Sequence, residues 1–243
     1  MRDTRFLFCF LVVWVMLPST MFSQTKKLTA QEKKDGWILL FDGLNSNGWT
    51  TTSGKPIPAG WEVNNGSLTA KKGGQGGDII SVNEYSDFEL YLDYNIEPGC
   101  NSGVKYFFTK YENGGNLGME YQILDDQLAE DNKKDNHLSG SFYDVLPPIA
   151  SKKKINDPGQ WNTLRIVAKG KKVEHWLNGV KILEFTRGSK VYTDAVAWSK
   201  FNKTTPAFGM VEKGHILLQE HGGVVSFKNI KIKLLNKLYG KET

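Results

Sequence analysis

The chain switches repeatedly between short runs of period-two alternation and glycine-rich turns, and that rhythm restricts it to an all-β fold. Residues 88–96 show it best: Phe88, Leu90, Leu92, Tyr94 and Ile96 alternate with Glu89, Tyr91, Asp93 and Asn95. Successive side chains of a strand point to opposite faces, so such a segment buries one row and solvates the other. Trp61-Glu62-Val63, Asn64-Asn65-Gly66 and Ser67-Leu68-Thr69-Ala70 read as a hairpin, because Asn and Gly tolerate the positive φ of a tight turn. Asn178-Gly179 turns the chain again after the run 173–177. About a dozen such strands, with almost no helical period, predict a two-sheet antiparallel β-sandwich, a jelly roll, over residues 35–236. With 243 residues, 13 Phe, nine Tyr and seven Trp, the chain can fill a single core of that kind.

The ends read differently. Arg2 and Arg5 precede the apolar run 6–17, and Ser19, Thr20 and Ser23 follow it, the pattern of an export signal over residues 1–23. The run is too short to cross a bilayer. Cleavage starts the mature chain near Gln24, with a polar leader over 24–34, where Thr29 and Glu32 form a capping box, and a tail at 237–243. The mature protein is expected in the periplasm or outside the cell, with no stable membrane insertion. Cys9 leaves with the signal, so Cys100 stays alone and no intrachain disulfide forms. The net charge of +5 comes from lysine runs in solvated loops, and no basic helix or nucleic-acid motif accompanies it.

The residues with chemistry concentrate in a few stretches. In 118–126, Met119, Tyr121 and Ile123 alternate with Glu120, Gln122 and Leu124, and Asp125 and Asp126 follow at the strand end. That density of acidic groups predicts the floor and rim of a polar site. The strand 103–109 sets Val104, Tyr106 and Phe108 on one face, and Lys105 and Phe107 on the other. A long polar loop over 127–148 carries His137, Tyr143 and Asp144. The other histidines are His175, His215 and His221; on the alternation, His215, Leu217, Gln219 and His221 share one face. Neighbouring strand residues point opposite ways, so Asp125 and Asp126 make a poor glycosidase couple. A divalent metal stays open, although no His-x-His or Glu-x-x-His spacing supports one. The nucleophile-elbow pattern of a serine hydrolase is absent from the sequence.

An ordered set of short motifs completes the reading. Leu40-Phe41-Asp42-Gly43 with Trp49, Trp61-Glu62-Val63, Gly77-Asp78-Ile79-Ile80 and Asp87-Phe88-Glu89-Leu90 come first. Asn101-Ser102-Gly103-Val104, Glu120 through Asp125, Trp161-Asn162, His175 through Gly179, and Gly214-His215-Ile216 with Leu218 through Gly222 follow. Together they resemble the 3-keto-disaccharide hydrolase family across nearly the whole mature chain. The resemblance implies the concanavalin A-like lectin/glucanase sandwich and activity on glycosides oxidised to a ketone at sugar carbon 3. It implies a carbohydrate substrate and a base that takes the C2 proton, with His175, His221 or Glu120 as candidates. Lys105 or a bound metal then stabilises the enolate. Asp125, Gln219, His137 and Tyr143 bind sugar hydroxyls or relay a proton, and Gln122 and Asn178 join Lys105 as substrate contacts. A non-catalytic carbohydrate-binding module on the same sandwich is the alternative, because fold does not fix function. A conventional glucanase needs a Glu-x-Asp-x-x-Glu strand, which the sequence lacks.

Overall fold

The computed structural model describes residues 27–112, 115–202 and 207–235. The expected export signal, the start of the expected polar leader and the expected C-terminal tail lie outside the described residues. Among the described residues, thirteen strands run β1 (Trp37–Leu39), β2 (Trp49–Thr51), β3 (Trp61–Asn64), β4 (Ser67–Ala70), β5 (Ile79–Tyr85), β6 (Phe88–Ile96), β7 (Asn101–Tyr111), β8 (Gly115–Leu124), β9 (Asn162–Lys169), β10 (Lys172–Leu177), β11 (Val180–Thr186), β12 (Gly214–Leu218) and β13 (Val225–Leu234). Helix α1 (Ala30–Lys34) precedes them and α2 (Lys190–Ala197) lies between β11 and β12. The Thr29–Glu32 capping box forms as the leader sequence predicts: the Thr29 hydroxyl accepts from Glu32 N, and Glu32 accepts from Thr29 N.

The strands form two antiparallel sheets. One runs β11-β10-β9-β6-β13-β4-β3, with β1 also on β13, and the other runs β2-β5-β12-β7-β8. β6 alternates buried and half-buried along its whole length, as its period-two pattern requires. Its buried row (Phe88, Leu90, Leu92, Tyr94, Ile96) packs between the sheets with Tyr106, Tyr121, Leu164, Ile166, Phe227 and Ile232. Each fully buried side chain of this size contributes about 1.5–3 kcal/mol, which makes this layer the main source of cohesion.

The inward row of the five-stranded sheet is marked by Tyr106 and Tyr121, whose rings meet His175 of β10 on the facing sheet. The side chains between them, Lys105 on β7 and Glu120 and Gln122 on β8, therefore face outward. One expectation fails here. Phe107 takes φ +53°, and the β7–β8 register shifts between Tyr106 and Thr109. This bulge turns Phe107 into the core beside Tyr106 and Phe88, while Phe108 joins Ile80 and Leu217 in a small outer cluster. Strict alternation put Phe108 with Tyr106; the extra residue reverses it.

Candidate active site

Cross-strand register assembles the site in rows across the outer face. Lys105 pairs with Glu120 on one side and with Leu217 on the other, and Leu217 pairs with Ile80. One step along, Gly103 pairs with Gln122, and Gln219 N donates to the Gly103 carbonyl at 2.9 Å. Asp78 flanks this row, its Oδ1 accepting from Glu220 N at 3.0 Å. Gly103 is the gap in the floor. A Cβ there would lie 2.3 Å from Glu120 Oε1, so the missing side chain is what gives that carboxylate its place.

The result is a pocket of about 180 Å³, with Lys105, Glu120, Gln122 and Gln219 at its floor and Asn101, Tyr143, Lys200 and His221 around it. Lys105 Nζ stands 3.8 Å from Asp78 Oδ2 and 3.9 Å from Glu120 Oε2. Burial pushes the Glu120 carboxyl above its ordinary range, with Lys105 and Lys200 opposing. Asp78 is raised for the same reason, again against Lys105. The Gln122 amide, turned with its nitrogen inward, donates to Glu120 Oε1 at 3.2 Å and to the Ser102 carbonyl at 3.1 Å. Among the described residues, buried Gln219 Oε1 meets no hydrogen-bond donor, so it can accept from a bound molecule.

The wall is built by the segment 125–149. Gly140 N donates to the Gln122 carbonyl and Tyr143 N to the Glu120 carbonyl, extending the sheet beyond β8. Tyr143 is fixed from behind: its hydroxyl donates to Asp131 Oδ2 at 2.7 Å, and its ring lies against His137, tilted by 40° with centroids 4.6 Å apart. Lys200 Nζ lies 4.3 Å from the centre of the same ring, a cation–π contact that holds the ammonium at the pocket. Burial and the neighbouring Asp131 both raise the Tyr143 phenol's pKa.

Six of the ten sequence candidates converge here: Glu120, His221, Lys105, Gln122, Tyr143 and Gln219. Four do not. His175 is fully buried between the sheets; Nδ1 donates to the Gly140 carbonyl at 3.0 Å and Nε2 accepts from the Tyr106 hydroxyl at 2.9 Å. Burial lowers its pKa to about 4, so it is a neutral core residue out of reach of a substrate. Its strand gave the clue, since Val173, His175 and Leu177 share one alternating row and all are buried. Asp125 caps a turn, accepting from Gly99 N, Gln127 N and Leu128 N at 2.8, 3.0 and 3.2 Å. Burial alone raises its pKa, but those N–H groups outweigh it and hold the carboxyl below its ordinary value. Both His137 ring nitrogens are taken, by Asp131 Oδ1 at 2.7 Å and Asp144 Oδ1 at 2.8 Å, so it braces Tyr143 instead of meeting sugar. Asn178 sits at φ +47° in the β10–β11 turn and bonds Thr163 N, the Lys154 carbonyl and Asn162. Among the described residues, no three His, Cys, Asp or Glu side chains converge as a metal site.

Sequence reasoning missed Asn101, Asp78 and Lys200 as site residues. Asp78 and Asn101 lie inside quoted motifs, but only the register brings them to Lys105 and Gln122. Lys200 follows α2 in an irregular stretch with no periodic signal.

Known proteins are similar to this chain in sequence and fold. A 3-keto-disaccharide hydrolase of Bacteroides thetaiotaomicron is 31% identical over 232 residues, 83% of this chain and 79% of that protein. A crystal structure of a candidate glycosyl hydrolase from Parabacteroides distasonis aligns at TM-score 0.78 and 32% identity, covering 88% of this chain and all (100%) of that one. A second candidate glycosyl hydrolase from the same organism aligns at TM-score 0.63 and 29% identity, over 82% and 99% of the two chains. The family model described as the 3-keto-alpha-glucoside-1,2-lyase-like domain matches residues 36–233, and the chain belongs to that family.

Proposed function

We propose that this protein is an exported enzyme that cleaves 3-keto-glycosides, 3-keto-disaccharides among them, by elimination across C1 and C2 followed by hydration. The observation that carries the reading is Lys105 set between two desolvated carboxylates, Asp78 and Glu120, on the floor of a pocket. The relative from Bacteroides thetaiotaomicron, named for the same substrate class, supports it.

A ketone at C3 acidifies the C2 hydrogen. Glu120 takes that proton, and desolvation makes its carboxylate a stronger base than one in water. The electron pair delocalises onto the C3 oxygen, where the Lys105 ammonium stabilises the enolate. Collapse of the enolate forms the C1–C2 double bond and breaks the C1–O bond. His221, at the pocket edge, delivers a proton to the departing oxygen. Water then adds its hydroxyl to C1 and a proton to C2, so one water is consumed per bond cleaved. Two carboxylates at glycosidase spacing are not needed, which fits the turn-capping role of Asp125.

The test compares a 3-keto-disaccharide with its unoxidised parent, with and without chelator. Turnover of the keto substrate alone is expected, and Glu120→Gln lowers kcat by roughly 10²–10⁴-fold with little change in KM. Loss of activity with chelator would move the electrophile's role from Lys105 to a metal. Binding of both sugars with turnover of neither would replace the enzyme by a lectin-like module. Export is read by N-terminal sequencing of protein from the periplasm or medium: a start near Gln24 is expected, and an intact Met1 refutes cleavage.

A further inference from the structure

The pocket over Lys105 opens into a second, larger groove. That groove, about 600 Å³, is lined by Glu97, Gly99, Cys100, Leu128, Glu130 and Asp131. The two cavities share Asn101, Tyr143 and His221. The pocket is the smaller of the two, at about 180 Å³. A group attached to a sugar ring seated there extends into the groove past the shared residues.

We propose that the groove is the subsite for the leaving group, built for an uncharged or cationic sugar and set against an acidic one. This rests on the reading of the pocket as the site of C1–O cleavage, because the shared residues then flank the departing oxygen. The charge pattern divides at that point. The pocket carries two ammonium groups, Lys105 and Lys200, against the one carboxylate of Glu120. Every Asp, Glu, Lys or Arg of the groove lining is a carboxylate: Glu97, Glu130 and Asp131. A uronate or phosphate there would face like charge and lose affinity, whereas sugar hydroxyls and ammonium groups can donate to those oxygens. Two of the acceptors are fixed before binding: Asp131 takes hydrogen bonds from Tyr143 and His137, and Glu97 accepts from Val224 N at 3.2 Å. Leu128 is 68% exposed at the groove edge, an apolar face for the C–H side of a sugar ring. Cys100 adds a neutral wall, its thiol pushed up to about 12 by burial and the acidic neighbours Glu97 and Asp125.

The experiment uses the mature protein and three substrates with one keto-glucosyl unit: a glucose leaving group, a glucuronate leaving group and a methyl glycoside. Wild type should favour glucose over glucuronate. Glu130→Lys should raise the glucuronate-to-glucose ratio of kcat/KM by about tenfold, a 1.4 kcal/mol change in preference. Leu128→Ala should lower the glucose-to-methyl ratio by several-fold. Both side chains reach solvent, so neither variant threatens the fold. Ratios unchanged in both variants overturn the subsite. If no keto substrate is cleaved, the cleavage reading fails, and calorimetry with unoxidised disaccharides still reads the groove. Weaker disaccharide binding in Leu128→Ala supports it; equal binding, or none by wild type, overturns it.

Discussion

A Cβ on Gly103 would lie 2.3 Å from Oε1 of Glu120 and 3.0 Å from its Cδ. The obstacle is the end of a flexible side chain, so Gly103→Ala should fold and expel the carboxylate from its place instead. We expect kcat to fall about 10²-fold, as misplacement of a reacting group by an ångström does. Melting should shift by only a few degrees; thermal unfolding beside steady-state kinetics checks both. An alanine variant with full activity would show that Glu120 does not need this position. The same scale explains why Lys105 is a lysine. One compact ammonium reaches Asp78 and Glu120 at similar distance, and it keeps both from being buried carboxylates without a counter-charge.

Among elements, the segment after β8 decides the most. Backbone bonds from Gly140 N and Tyr143 N hold it to β8, and Asp125 and Asp126 close the turns that lead there. Asp126 Oδ1 accepts from Ser139 N at 2.7 Å and Oδ2 pairs with Lys153, while Asp125 closes the first turn. Both acidic residues thereby shape the loop that carries Tyr143, while Asp144 Oδ2 accepts from Lys200 N at 2.8 Å. Asp125→Ala leaves Gly99 N, Gln127 N and Leu128 N without their acceptor and should cost about 1–3 kcal/mol of stability. Denaturant unfolding measures that cost. A variant of unchanged stability but abolished turnover would restore Asp125 to the chemistry. The β7 bulge acts at the same scale. By turning Phe108 outward against Ile80 and Leu217, it supplies apolar support next to Lys105 on the polar face.

At the scale of the whole molecule, His175 links the two sheets, bonding Tyr106 of β7 and the Gly140 carbonyl. Its pKa falls from 6.5 to about 4 because burial disfavours the charged ring. Between those values the unfolded chain binds a proton that the folded chain does not, so stability declines as pH falls from about 6.5 to about 4 and levels below. The histidine's share is about 3 kcal/mol. His175→Gln keeps a donor and an acceptor but does not titrate. Urea unfolding at pH 7 and pH 4.5 should show a smaller acid loss in the variant than in wild type. Equal losses would place the acid sensitivity elsewhere.

The sequence by itself determined the sandwich, the turns and which face most residues take, because period-two alternation and Asn-Gly turns act over a few neighbouring residues. Asn65 and Asn178 sit at positive φ, in the turns where Asn-Gly puts them. It also brought Glu120 and Gln122 to one face, and His175 into a row with Val173 and Leu177. Only the tertiary structure decided which polar residues meet. Asp78, Lys105, Glu120, Lys200 and His221 come from separate elements, brought together by register, a bulge and a loop closed by hydrogen bonds. None of those leaves a local signature: Lys200 sits in irregular chain, and Asp125 reads like Glu120 until the amides around it are seen. Alternation assigns a face, but a catalytic pocket depends on long-range pairing, whose energy lies in partners distant along the chain.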